Sequence, residues 1–326
     1  MTVLFRFLSA LALLVAATGA AIADYPDRPI TIMVGFAPGG TSDVAARILA
    51  ERLTRSLGVA VVVDNKPGAG GSIAAAATAA AAPDGYHIML SDPGAFAINP
   101  IMQPQNAKYD PLADFTPIAL VGQSPLILVV PSSKPFMTIK ELDAYLKANG
   151  SRASYASSGP AGIAQFGAEV YLKRAGDLLA THVPYRGGAP MMEALGKGEV
   201  DFGMAVLASA VPLISSGAVR PLALAAPSAT PLVAKVPLLE QLGMKNTTLT
   251  SWVIMIGPKG FPADLTRRLN TAINEAIAES DVKERLLKAG IEAYAPATPA
   301  ETGAYLAKDV ERYRTFQSEL GDRLTK

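Results

Sequence analysis

The chain contains no cysteine. That excludes disulfides and a lipid-modified cysteine at the start of a mature protein. Histidine is almost as scarce. Only His87 and His182 are present, both in strand-like runs where a satisfied structural imidazole fits better than a base. Two isolated histidines and no thiol leave nothing to build a zinc site from, so no metal and no cofactor are expected. Charge is sparse too, at 17% of residues with a formal net charge of +1. Without a basic field the chain has nothing to condense on a phosphate backbone, which argues against a nucleic-acid partner. Beyond residue 23 no apolar run reaches the length of a membrane span.

Enzyme signatures fail in turn. Gly68-Ala69-Gly70-Gly71-Ser72-Ile73 opens like a dinucleotide fingerprint but has isoleucine where the third glycine belongs. Gly196-Lys197-Gly198 lacks the hydroxyl residue of a phosphate loop. Gly70-Gly71-Ser72-Ile73-Ala74 misses the last glycine of a nucleophile elbow. No catalytic residue is assigned, although sequence alone does not tell which carboxylates meet in space.

What is present begins with a basic residue, Arg6, an apolar run over residues 7–23 and a small-x-small end, Ala21-Ile22-Ala23. This is the pattern of a secretory signal peptide cleaved after Ala23, leaving a mature periplasmic chain from Asp24. At 326 residues the chain exceeds one ordinary core. Strand-like and helix-like segments alternate almost throughout, the pattern of α/β layers with mostly parallel sheets. A long apolar stretch over 115–130, interrupted by Pro117 and Pro125, and a second over 251–256 read as two crossings between lobes. The expected division is residues 24–124 with 250–326 in one lobe and 125–249 in the other, around a two-strand hinge.

Three glycine-rich turns fall where a strand ends and a helix begins, the place where open α/β sheets bind ligands. They are Ala37-Pro38-Gly39-Gly40-Thr41-Ser42-Asp43, Ser157-Ser158-Gly159-Pro160-Ala161-Gly162 and Tyr185-Arg186-Gly187-Gly188-Ala189-Pro190. Glycine admits close backbone approach, and a helix start offers free N–H groups with partial positive charge. Divided between two lobes, the three suggest an anion-binding cleft, which a fourth loop, Gly68-Ala69-Gly70-Gly71, could floor. Each loop by itself is equally a tight turn. Asp43 reads first as a helix-start residue, since a carboxylate aimed at an anion would repel it. Thr41 and Ser158 fit caps and ligand contacts alike. Arg186, the one cation in these loops, is the candidate for pairing a carboxylate, against a solvated surface role.

The ordered motifs resemble a known family. Tyr25-Pro26-Asp27-Arg28-Pro29-Ile30 is followed by Phe36-Ala37-Pro38-Gly39-Gly40-Thr41-Ser42-Asp43 and Val62-Val63-Asp64-Asn65-Lys66-Pro67-Gly68-Ala69-Gly70-Gly71. Pro83-Asp84-Gly85-Tyr86, Ile98-Asn99-Pro100, Tyr155-Ala156-Ser157-Ser158-Gly159, His182-Val183-Pro184-Tyr185-Arg186-Gly187 and Ser251-Trp252 come after. In order and spacing these are similar to the Bug-type receptors of tripartite tricarboxylate transporters. The resemblance implies a type II periplasmic-binding-protein fold, with a small organic acid held between two lobes and passed to a membrane permease. It implies no enzyme activity, and a monomer is expected. Carried onto this chain, the binding positions are Phe36, Ala37, Gly39, Gly40, Thr41, Ser42, Asp43, Ser157, Ser158, Gly159, Ala161, Gly162, Arg186, Gly187 and Ala205. The chain departs from the family pattern at Gly35, Thr41, Pro160, Ala161, Gly162, Gln165, Ala205 and Val206. Several usual polar partners are thereby lost, which points to a ligand with one carboxylate and a less polar remainder. A secreted hydrolase of small esters or amides on the same frame, and a ligand sensor for a signalling partner, are the alternatives.

Overall fold

The computed structural model describes residues 25–105 and 107–324. The expected signal peptide and its cleavage after Ala23 lie outside the described residues. Short parallel strands and amphipathic helices alternate as the apolar periodicity requires. Strand β1 (Ile30–Val34) leads to α1 (Thr41–Leu57), which ends at Gly58 in the left-handed conformation. Strand β2 (Val61–Asn65), α2 (Ser72–Ala79) and β3 (His87–Ser91) follow, then a π-turn over Gly94–Ile98 and the short α3 (Asn99–Met102). The 17-residue β4 (Phe115–Pro131) is buried along almost its whole length.

After β4 come α4 (Ile139–Asn149), β5 (Ser154–Ser157), α5 (Ile163–Arg174) and β6 (Thr181–Pro184). Then come α6 (Gly188–Lys197), β7 (Phe202–Val206), α7 (Leu207–Ser215) and β8 (Val219–Ala225). Strand β9 (Thr250–Pro258), α8 (Ala263–Ala278), α9 (Ser280–Lys288), β10 (Glu292–Ala293) and α10 (Pro299–Leu320) complete the chain.

Two α/β lobes share the long strand. In the first, β1 pairs in parallel with β2 and β3, β9 joins antiparallel to β3, and the first part of β4 runs antiparallel to β9 from Phe115 to Pro125. From Leu126 onward β4 changes partners and lies antiparallel to β7 and β8, with β5 and β6 extending the second sheet in parallel. The changeover falls at Pro125, opposite Thr250 at the start of β9. Proline has no N–H for a ladder and suits a place where pairing is handed from one sheet to another.

A third connection crosses between the lobes. Helix α10 starts against the first lobe, where Tyr305 packs edge-on to Trp252 of β9 at 6.5 Å between ring centroids. Its later turns reach the second lobe, with Tyr313 and Phe316 against Phe166 of α5 at 5.4 and 5.8 Å. Past its end, Arg323 pairs with Glu169 of α5 at 3.0 Å and with Asp177 at 2.8 Å. One apolar core therefore runs continuously under both lobes, while a separate core fills the far face of each.

Trp252 is fully buried, and its indole N–H donates to the Asp309 carboxylate of α10 at 2.6 Å. Asp309 also pairs with Arg312, so the strand-to-helix bond is charge-assisted. Replacing Trp252 with Phe keeps the ring stacking but leaves a buried carboxylate short of one donor. The expected cost is about 1–3 kcal/mol, read as a lower urea midpoint with an unchanged denaturant slope.

Candidate binding cleft between the lobes

Helices α1 at Gly40, α5 at Gly162 and α6 at Gly187 begin at glycine N-caps that carry no side-chain cap, as does α2 at Gly71. Helices α3, α7, α8 and α9 also begin without a side-chain cap. Helices α4 and α10 begin with complete capping boxes, Thr138 with Glu141 and Thr298 with Glu301. The first intrahelical bonds of α1, α5 and α6 start at Val44, Phe166 and Met191, which donate to the carbonyls of Gly40, Gly162 and Gly187. The N–H groups before them have no carbonyl of their own helix to meet and keep their partial positive charge.

These helix starts converge on one small chamber between the lobes. Its volume is about 30 Å³, room for about two waters or one carboxylate group. Gly40, Thr41 and Ser42 of the α1 start face Ile163 and Ala164 of α5 and Gly188 and Met191 of α6 across it. Val206 and Ser209, at the start of α7, close a further side, with Ala205 and Ser251 of β9 beside them. Phe36 and Ser158 border both this chamber and a wider outer one of about 490 Å³. The outer walls are Pro67 to Gly71 with Ile73 from the first lobe and Gly159 to Pro160 and Pro184 to Arg186 from the second.

The lobes touch around this site. The Thr41 and Ser209 hydroxyls lie 3.3 Å apart across it. Gly70 sits at φ 60°, and a Cβ there would come within 2.6 Å of the Pro160 carbonyl oxygen. Gly187, at φ 125°, would place a Cβ 3.4 Å from the Ala37 nitrogen. Only glycine meets both demands, the conformation and the close approach. The conformation is closed.

The residues singled out from the sequence divide into three groups. Phe36, Gly40, Thr41, Ser42, Ser158 and Ala205 line the inner chamber. Gly159 and Arg186 line only the outer one, and the Arg186 side chain is exposed with no ion pair among the described residues. Ala37, Gly39, Asp43, Ser157, Ala161, Gly162 and Gly187 shape the loops without lining either chamber. Asp43 accepts from the Gly39 N–H at 2.9 Å, from Asn65 at 3.0 Å and from Arg47. Burial pushes its pKa up, but these bonds outweigh it and hold the carboxyl below the usual range. Ala161 takes a left-handed φ of 54° and donates its N–H to the buried Gln165 side chain at 2.8 Å.

Ser157 and His182 have the spacing of a nucleophile and its base, Oγ to Nε2 at 2.6 Å. Ser157 is nevertheless fully buried, accepts from the Gly159 N–H and lines neither chamber. The imidazole stacks on Tyr155 at 5.0 Å, and burial lowers its pKa to about 4. It is a neutral structural histidine, as its place in a strand suggests. Among the described residues no group of three or more metal-ligating side chains assembles.

Asp92 is the residue the sequence reading missed. It follows β3, at the carboxyl end of a strand like the other loops, and Pro93-Gly94 after it reads as a plain turn. Its carboxylate is the one ionisable group lining the inner chamber. Asp92 is 7% exposed and accepts from the Ala95 N–H at 2.9 Å, with no cation bonded to it among the described residues. Burial pushes its pKa up to about 7, against the smaller opposing pull of the Ala95 and Gly94 N–H groups. Ser209, on the proline-containing helix α7, and Ser251 were also passed over as lining residues.

Two α/β lobes, a two-strand hinge and a cleft walled by open helix starts define the class of two-lobed solute-binding proteins. The sequence profile of the tripartite tricarboxylate transporter family receptors matches residues 45–321. The chain belongs to this family, whose members are periplasmic receptors. Protein BugT of Bordetella pertussis is 33% identical over 327 residues, covering 98% of each chain. A Rhodopseudomonas palustris protein solved with adipate superposes with a TM-score of 0.88 at 29% identity, over 91% of this chain and 99% of the other. MatC of the same organism, solved with malate, gives 0.86 at 28% identity, over 90% and 99%. No helix among the described residues is long and apolar enough to cross a membrane.

A raised carboxyl pKa fixes a sign. Below the unfolded value of an aspartate Asp92 is protonated in both states and costs nothing. As the pH climbs towards about 7 the unfolded chain releases the proton first, and stability falls. Asp92→Asn removes that dependence. The ligand-free variant should therefore melt a few degrees above wild type at pH 8, with the gap closing towards pH 5, as followed by circular dichroism.

Proposed function

We propose that this protein captures a small organic acid in the periplasm and presents it to the membrane permease of a tripartite transporter. The ligand carboxylate occupies the inner chamber, held by the N–H groups that open α1 and α5 and by the Ser42 and Ser158 hydroxyls. Its remainder passes between Phe36 and Ser158 into the outer chamber. The observation that carries this reading is the convergence of three uncapped, glycine-started helices on a space the size of one carboxylate. Free N–H groups in a water-poor site favour an anion without a fixed cation.

The outer walls favour a remainder that is mostly apolar. Phe36, Ile73, Pro160, Pro184 and Tyr185 surround it, with Arg186 the one charge. Arg186 then serves a second polar group at the far end of the ligand, not its buried head. That adipate and malate occupy relatives of the same fold fits a carboxylate class. The lobes, residues 24–124 with 250–326 and residues 125–249, part about β4 and β9 to admit the ligand, because they touch across the chamber at Thr41 and Ser209 and at Gly70 and Pro160. Contacts from both lobes to one molecule then favour closure. The receptor binds and releases its acid unchanged, and acts as a monomer.

A panel of mono-, di- and tricarboxylates and amino acids, tested by thermal shift, should return a selective stabilisation. Ser158→Ala should weaken the best acid about tenfold, the worth of one charge-assisted hydrogen bond of roughly 1.5 kcal/mol, with the free protein melting as before. Arg186→Ala should weaken acids with a distal polar group and spare simple monocarboxylates. Stabilisation by citrate with none by any monocarboxylate would overturn the single buried carboxylate.

A further inference from the structure

The inner chamber presents a contradiction. Its walls are helix starts suited to an anion, yet the single ionisable side chain facing it is an acid. An ionised Asp92 beside a bound carboxylate would set two like charges in a space of about 30 Å³, where little water screens them. One of the two must be neutral, or the ligand must bring a cation.

The surroundings decide which. Four helix starts, those of α1, α5, α6 and α7, frame the chamber, and its lining holds no second acid to suit an ammonium. The other charged and titratable groups on the packed elements are engaged elsewhere. Asp43 on α1 is bound by Arg47 and Asn65. Glu169 on α5 pairs with Tyr155 and Arg323. Arg186, before α6, faces the outer chamber. Tyr109, behind the π-turn, shares a hydrogen bond with Ser72 and donates to the Ala95 carbonyl, and burial pushes its hydroxyl up to about 12. None of them supplies Asp92 with a positive partner. Desolvation in this position already draws Asp92 towards the acid form at neutral pH.

On the reading that the chamber takes a carboxylate, we infer that Asp92 meets the ligand as a carboxylic acid, so that capture of the anion carries one proton in from solvent. The Asp92 carboxyl O–H donates to a ligand oxygen, and the helix starts hold the shared negative charge. No covalent bond forms or breaks. The proton leaves with the ligand when the lobes part. Asp92 thereby makes the receptor selective for anions that can accept such a bond, and makes its affinity depend on periplasmic pH.

The test is calorimetric titration of adipate and of malate between about pH 5.5 and about pH 8.5, in two buffers of different ionisation heat. Affinity should fall as the pH rises through neutrality, by up to about tenfold per unit, with uptake approaching one proton per site above it. Asp92→Asn, which mimics the acid's shape, should bind at alkaline pH at least as tightly as wild type, with a flat profile and no proton uptake. A wild-type affinity that is flat or rises with pH overturns the proposal while leaving the receptor reading intact. So does an Asp92→Asn variant that keeps its fold and loses binding, since the ionised acid would then be needed for a ligand cation. Infrared difference spectra of wild type against Asp92→Asn, each saturated with the bound acid, report the protonation of Asp92 directly. An ionised Asp92 in the complex at about pH 6 overturns the proposal. Failure of every acid of the panel, adipate and malate included, to bind either protein at any pH overturns it together with the reading it rests on.

Discussion

The pairing of β4 with β9 is the constraint from which the rest of the molecule follows. Over residues 115–125 the two strands run side by side inside the first sheet, and at Leu126 β4 leaves β9 for β7 and β8. Because the strand is continuous, the first and second sheets meet at a fixed place. The carboxyl ends of β1 and β3 therefore face those of β5, β6 and β7, which puts the glycine loops opposite one another. The buried ladder makes this arrangement stiff within each lobe, and the change of partners at Pro125 concentrates compliance at one position.

On the proposed reading, the chamber holds an anion with almost no side-chain charge. A lysine or arginine inside 30 Å³ would fill it and would itself need desolvation. Backbone N–H groups occupy no such volume and are already fixed in direction by their helices. Glycine in place of a side-chain cap on α1, α5 and α6 forfeits only about a few tenths of a kcal/mol each. Full capping boxes are found on α4 and α10, away from the chamber.

Much of this was legible in the sequence, for identifiable reasons. Strand and helix positions followed from short β-branched runs and helical apolar spacing, as at 59–63 and 265–277. The two crossings followed from apolar stretches too long or too late for their neighbours. The loop at 36–43 and Ser158 were found by asking where strands end. The same question asked at Ser91 would have found Asp92. Helix α7 carries Pro212, tolerated because it lies inside a short, partly exposed helix. The division of the loop residues into lining and supporting ones could not be read, since it depends on which way each side chain turns. Amphipathicity likewise gave α10 its buried face without telling that the face spans both lobes.

That helix changes the mechanics of opening. Two antiparallel strands alone would act as a flexible leaf, free to bend, twist and shear. A long helix packed on Trp252 at one end and on Phe166 at the other acts as a spine along the back of the fold. Twisting would tear aromatic contacts and the Arg323 ion pairs with α5, whereas swinging about an axis beside the spine disturbs them least. The molecule is thereby reduced to a single mechanical coordinate. A docking membrane protein then needs to sense only one angle to distinguish a loaded receptor from an empty one.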